Sequence, residues 1–158
     1  MGPSMRNTAA ANILFIRTDR LGETLLTLPA VVALKHALPG SAITFLAHPA
    51  VAEVLVGLPE LAAVLTDDAS RSAPWWGRAI RLARRLRVLR FDAAVVSNPK
   101  KELHLAVFLA GIPVRVGYDR KWAWTLTHPL TDDKALGERH EVEYNLQLIN
   151  RLGISVSS

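Results

Sequence analysis

The feature that most constrains this chain is an alternation of two kinds of segment. Short apolar runs of strand length, at residues 12–16 (NILFI), 42–47 (AITFLA), 61–65, 93–97 (AAVVS) and 114–116, are separated by longer stretches in which apolar residues recur at helical spacing, at 21–38, 50–56, 75–89, 103–110 and 141–152. That order predicts βαβ units joined by right-handed crossovers. The fold expected is an open, parallel, Rossmann-like α/β sheet of five strands, with helices on both faces. Glycine and proline mark the helix ends at Pro39-Gly40, Gly57 and Pro59, Gly111 and Pro113, and Gly153. Pro29 either kinks the first helical stretch or opens a second helix capped by Thr27.

At 158 residues the chain fits one domain, and a globule of this size buries about 70% of the surface its unfolded chain exposes. Half of the residues are hydrophobic and 21% charged, which excludes a disordered tail. The absence of cysteine excludes disulfide frameworks, thiolate nucleophiles and cysteine-ligated metals. No segment reaches the roughly 18 apolar residues a membrane span needs. The apolar run at 13–16 meets Arg17 too early for a signal-peptide core, so a cytoplasmic protein is expected. Residues 1–4, ahead of a second methionine at Met5, read as a cloning scar. A net charge of +5 and a pI near 10.1 suit nucleic acid, anionic lipid or a phosphorylated substrate, and do not choose among them.

Ligands of open α/β sheets bind at the carboxyl ends of the strands, which directs attention to the loops at 18–23, 47–49, 66–70, 97–101 and 118–121. The first of these runs Arg17-Thr-Asp-Arg-Leu-Gly-Glu-Thr, with one glycine. It carries neither the G-x-G-x-x-G of a dinucleotide site nor the G-x-x-x-x-G-K-[ST] of a P-loop. It does supply an acid–base set at a helix start. Gly22 permits close backbone approach, Arg17 and Arg20 are cationic, and Asp19 and Glu23 are carboxylates. Taken alone, Asp19 also reads as a helix N-cap and Glu23 as a favourable first-turn charge.

The longer pattern Ile13-Leu-Phe-Ile-Arg-Thr-Asp-Arg-Leu-Gly-Glu-Thr-Leu-Leu-Thr-Leu-Pro-Ala, followed by Leu34-Lys35, Asn98-Pro99-Lys100-Lys101, the stretch at 110–122 (AGIPVRVGYDRKW) and His140-Glu-Val-Glu-Tyr-Asn-Leu, resembles the N-terminal domain of the lipopolysaccharide heptosyltransferases, glycosyltransferase family 9. The resemblance implies the first half of a GT-B enzyme, in which two Rossmann-like domains face each other across a cleft. The N-terminal half would take the acceptor, a Kdo- or heptose-bearing lipid A inner core. ADP-heptose would bind a C-terminal domain, and transfer would invert the anomeric centre without a metal or other cofactor in this half. On that pattern residues 5–153 are the acceptor-binding domain and 154–158 begin an interdomain linker, with the donor domain absent, so that the chain alone is expected to be inactive. The family's general base falls on Glu23, where aspartate is usual, with Asp19 the nearest substitute. Arg17, Thr18, Arg20, Gly22 and Arg120 are the expected acceptor-binding residues of the matching loops.

Between residues 75 and 90 lie six arginines and no acidic residue. Arg78, Arg81 and Arg85 share one helical stripe, which can pair with phosphates of an acceptor or of an anionic membrane surface; nucleic acid is not expected, because no nucleic-acid motif accompanies the charge. A solvated helix face is the plain alternative. Lys100 and Lys101 follow the fourth predicted strand, where a cation could hold an acceptor carboxylate or phosphate. Trp75, Trp76, Trp122 and Trp124 stand beside cations, as suits sugar stacking, a membrane interface or simple packing. Asp67-Asp68 has no histidine or third carboxylate nearby in sequence, and no metal is expected. His48, His104 and His128 read as structural or solvated. Three functional readings follow: an acceptor-binding half of an inverting heptosyltransferase, peripheral at the inner membrane; a non-catalytic glycan- or anion-binding module; or a stand-alone nucleotide-binding domain, against which the missing glycine fingerprints argue.

Overall fold

The computed structural model describes residues 11–67, 72–133, 136–137 and 140–154. Residues 1–4, expected as a scar, Asp68 and its neighbours to 70, Lys134, and residues 155–158 of the expected linker lie outside the described residues. The strands are β1 (Asn12–Arg17), β2 (Ala42–Ala47), β3 (Ala63–Thr66), β4 (Ala93–Val96), β5 (Val114–Tyr118) and β6 (His128–Leu130). The helices are α1 (Leu21–Leu25), α2 (Leu28–Ala37), α3 (Pro49–Leu55), α4 (Trp75–Leu89), α5 (Lys101–Leu109) and α6 (Glu141–Asn150). All strand pairs are parallel and the order is β3-β2-β1-β4-β5-β6.

The two-residue strand period divides the core into two layers. Ile13 and Phe15 of β1, Ile43 and Phe45 of β2, and Ala93 and Val95 of β4 face a layer built with α2, α3 and α6. Leu14 and Ile16, Leu46, and Ala94 and Val96 face the opposite layer, built with α4 and α5. Phe15 and Phe45 stack at 5.5 Å in the first layer. Burying both faces of β1 and β4 requires uninterrupted apolar sequence, which these strands have.

Among the described residues the sheet has six strands, not the five expected. The sixth pairs Val116 with His128 and Tyr118 with Leu130 at the sheet edge, where Pro129 is tolerated. Of the two readings of Pro29, the second is observed: α2 opens at Leu28 with Pro29 in its first turn. Thr27 occupies the cap position, but its hydroxyl donates back to the Thr24 carbonyl (2.6 Å) instead of capping α2. His48 has a definite structural task, its Nδ1 accepting from the Ala50 N–H (3.0 Å) to cap α3.

Candidate functional site

The strand order reverses between β1 and β4, β1 pairing with β2 on one side and β4 on the other, so the loops after β1 and β4 flank the switch point where such sheets bind ligands. Two linked networks hold those loops. Arg17, at the end of β1, is only 5% exposed. Its guanidinium makes a bidentate pair with Asp19, Nε to Oδ1 and Nη2 to Oδ2, both at 2.7 Å. Its Nη1 donates to Glu141 Oε1 of α6 (3.0 Å) and to Ser97 Oγ (3.1 Å). Ser97 Oγ donates in turn to Asn145 Oδ1 (2.6 Å), and Asn145 Nδ2 donates to the Glu141 carbonyl (2.9 Å). Burial pushes the guanidinium pKa down, and the pairs with Asp19 and Glu141 more than reverse it, so Arg17 is held above its ordinary value. The second network is reciprocal: Thr18 N–H donates to Asn98 Oδ1 (3.2 Å) and Asn98 Nδ2 to Thr18 Oγ1 (3.1 Å), while Lys100 Nζ reaches the same Thr18 oxygen at 3.4 Å.

These contacts redistribute the expected roles. Arg17, expected to bind acceptor, lies beneath the loop with its donors turned to protein acceptors. Asp19 is not the N-cap of α1. That position is Arg20, which offers no side-chain cap, and Asp19 is committed to Arg17. Glu23 stands in the first turn of α1, half-buried, and among the described residues its carboxylate makes no hydrogen bond or ion pair. Arg20 and Gly22 are exposed, and Lys100 lies at the entrance to α5. Thr18 is buried, with its N–H and hydroxyl both engaged. Arg120 is apart from this group, paired with Asp132 (3.2 Å). Sequence reasoning gave no role to Ser97, Asn98, Glu141 or Asn145; the signals were the strand-end loop at 97–101 and the motifs containing Asn98 and 140–146.

A second recess, of about 440 Å³, opens at the end of β3, lined by Thr66, Asp67, Arg78, Arg81 and Arg85 with Pro49 at its edge. Arg78 is braced by Glu102 (2.9 Å) and the Ala73 carbonyl (3.0 Å), and Arg85 by the Thr66 carbonyl (3.0 Å). The three arginines of the expected stripe thus share one concave wall. Beside it, Trp75 meets Trp122 (5.1 Å), Trp122 meets Trp124 (5.5 Å), and Lys101 Nζ lies 4.5 Å from the centre of the Trp75 ring. Lys121 and Trp122 have φ of 43° and 67°, a strained left-handed pair for non-glycine residues. Buried His104 fixes that turn, its Nδ1 lying 2.7 Å from the Lys121 carbonyl, and burial lowers its pKa. Among the described residues no three histidine, aspartate or glutamate side chains gather as a metal site.

The parallel 3-2-1-4-5-6 sheet, with its loop network at the switch point, defines an open, Rossmann-like α/β fold that matches GT-B glycosyltransferases. The chain resembles solved members of the heptosyltransferase group. It superposes on Escherichia coli heptosyltransferase WaaC with ADP-2-deoxy-2-fluoro heptose with a TM-score of 0.74 and 22% identity, over 91% of this chain and 49% of that one. For E. coli ADP-heptose LPS heptosyltransferase II the values are 0.74 and 23%, over 87% and 40%. For a family 9 glycosyl transferase from Veillonella parvula they are 0.81 and 18%, over 97% and 44%. In sequence it is 27% identical over 138 residues to a Haemophilus influenzae protein described as "Putative glycosyltransferase", covering 87% of this chain and 39% of that protein. No family model matches the chain. It spans 39% of the length of the Haemophilus relative and between 40% and 49% of these three structures.

Proposed function

We propose that this chain is the acceptor-binding domain of an inverting glycosyltransferase that moves heptose from ADP-heptose to a lipopolysaccharide inner-core acceptor, and that Glu23 is its general base. The observation that carries the reading is the division between the two loop carboxylates. Asp19 is neutralised by a bidentate arginine, whereas Glu23, in the first turn of α1, has no ion pair among the described residues. A base must keep its lone pairs available to the hydroxyl proton it removes. Glu23 would take that proton as the acceptor oxygen attacks the anomeric carbon and ADP departs with the glycosidic electron pair. Lys100, Arg20 and the arginine-walled recess would hold the acceptor's phosphate and carboxylate groups, arginine being suited to bidentate phosphate pairing. The donor nucleotide belongs, on this reading, to a second domain, and the protein works in the cytoplasm, peripheral at the inner membrane.

The test is sugar transfer by a polypeptide joining this chain to an ADP-heptose-binding domain, wild type against Glu23→Gln. The expected loss in kcat is about 100-fold or more, the usual range for removing a general base. An unchanged rate would reject Glu23 as base. The replacement of the family's aspartate by glutamate favours a second reading, a glycan- or anion-binding module without chemistry. Acceptor binding with no transfer by the wild-type polypeptide would establish that reading instead.

A further inference from the structure

The arginines of α4 fall into two sets. Arg78, Arg81 and Arg85 line the recess at β3, and each has a protein partner. Arg84 and Arg87 lie on the other flank, exposed, and among the described residues they make no hydrogen bond or ion pair. They border an open groove of about 320 Å³ between α4 and α5, whose floor and walls are Ile80, Ala83 and Leu109. The apolar surface continues on both sides. Val88, one turn beyond Arg84, is 80% exposed, and Trp76, one turn before Ile80, is 55% exposed. Beyond Leu109, exposed Phe108 packs edge-on against Trp124 (5.3 Å), itself 65% exposed.

From this arrangement we infer that the outer face of α4 and α5 docks on an anionic lipid bilayer, with Arg84 and Arg87 at the phosphate level and Trp76, Ile80, Val88 and Leu109 entering the interface. Charge complementarity selects this occupant. The face pairs unneutralised arginines with aliphatic and tryptophan side chains, the composition of helices that lie in a membrane interface. The only carboxylate of α4 or α5 is Glu102, which is held by Arg78. Long arginine stems can follow the apolar groove while their guanidinium groups reach lipid phosphates. Nucleic acid would match the charge and leave the apolar groove without a partner.

The inference deepens the peripheral placement proposed above and is independent of the transfer chemistry. Vesicles without glycan test it alone, so its failure would leave Glu23 untouched, and failure of Glu23 as base would leave this face untouched. The measurement is co-sedimentation of the chain with phosphatidylcholine vesicles containing or lacking phosphatidylglycerol. Binding is expected only to the anionic vesicles, with a blue shift of tryptophan emission. Each basic residue near such a surface is worth about fivefold in partitioning, and Arg87→Glu reverses the charge, so about tenfold or more should be lost. Arg151→Glu makes the same charge change next to α6 on the opposite layer and should lose less than half as much on a logarithmic scale. Ile80→Ser, which keeps the net charge, should also weaken binding, and circular dichroism checks that each variant is folded. No binding of the wild type, equal losses for Arg87→Glu and Arg151→Glu, or concentration-dependent dimerisation through this face in place of vesicle binding would each overturn the proposal.

Discussion

Replacing Arg17 with methionine keeps much of the side chain's length and removes every donor of the guanidinium. It strands Asp19 and takes a donor from Glu141 and Ser97, acceptors that Arg17 holds at 2.7, 3.0 and 3.1 Å. Removing one partner of a buried ion pair costs about 3–5 kcal/mol. Asp19 and Glu141 retain 30% and 22% of their side-chain exposure, so water recovers part of that loss. The expected destabilisation is therefore at the low end, about 3 kcal/mol. For a domain of this size that lowers Tm by about 6–12 °C. Equilibrium urea unfolding at pH 7 measures it, and Asp19→Asn should cost less in the Arg17→Met background than in the wild type, because the stranded carboxylate is then gone. A change under about 1 kcal/mol for Arg17→Met, in the range of ordinary surface substitutions, would refute the claim that Arg17 ties β1 to α6.

Three further outcomes are expected. Glu23→Gln should leave stability within about 0.5 kcal/mol of wild type, since its carboxylate has no partner among the described residues, so any lost activity reports chemistry and not unfolding. Gly22→Ala should keep or slightly raise Tm, because a Cβ there meets nothing within 4 Å; helix propensity favours alanine by up to about 1 kcal/mol, and a fall in acceptor affinity at unchanged Tm would show that the ligand approaches this backbone. His104 has a folded pKa below its ordinary 6.5 because of burial, so the unfolded chain takes up its proton first. Stability from this group is complete above pH 6.5 and is lost as pH falls from there through the lower folded value. Thermal unfolding from pH 7.5 to 5.5 should show that loss, and His104→Gln should flatten it.

The sheet core was legible because β1, β2 and β4 are buried on both faces and so written as largely apolar runs, with Thr44 of β2 the polar interruption, and α4 because its apolar stripe has helical period. β6 was not, being three residues, His-Pro-Leu, whose strand state comes only from pairing with β5. The loop after β1 was recognisable as a candidate site, but its internal contacts were not. Arg17 and Glu23 are both charged residues of one loop, and what separates them is contact with Ser97 and Glu141, 80 and 124 positions away. Likewise the five arginines of α4 read as a single basic feature until Glu102 and Thr66 divide them into a braced recess wall and an outer flank that makes no ion pair among the described residues.

The most direct test of the central claim is an NMR titration of this chain with a phosphorylated Kdo–lipid A headgroup mimic, with ADP-heptose in a parallel series. Shifts with the acceptor mimic, clustered at residues 18–23, Lys100 and the recess arginines Arg78, Arg81 and Arg85, are the predicted result. Shifts with ADP-heptose alone would contradict the account, placing this domain on the donor side of the reaction.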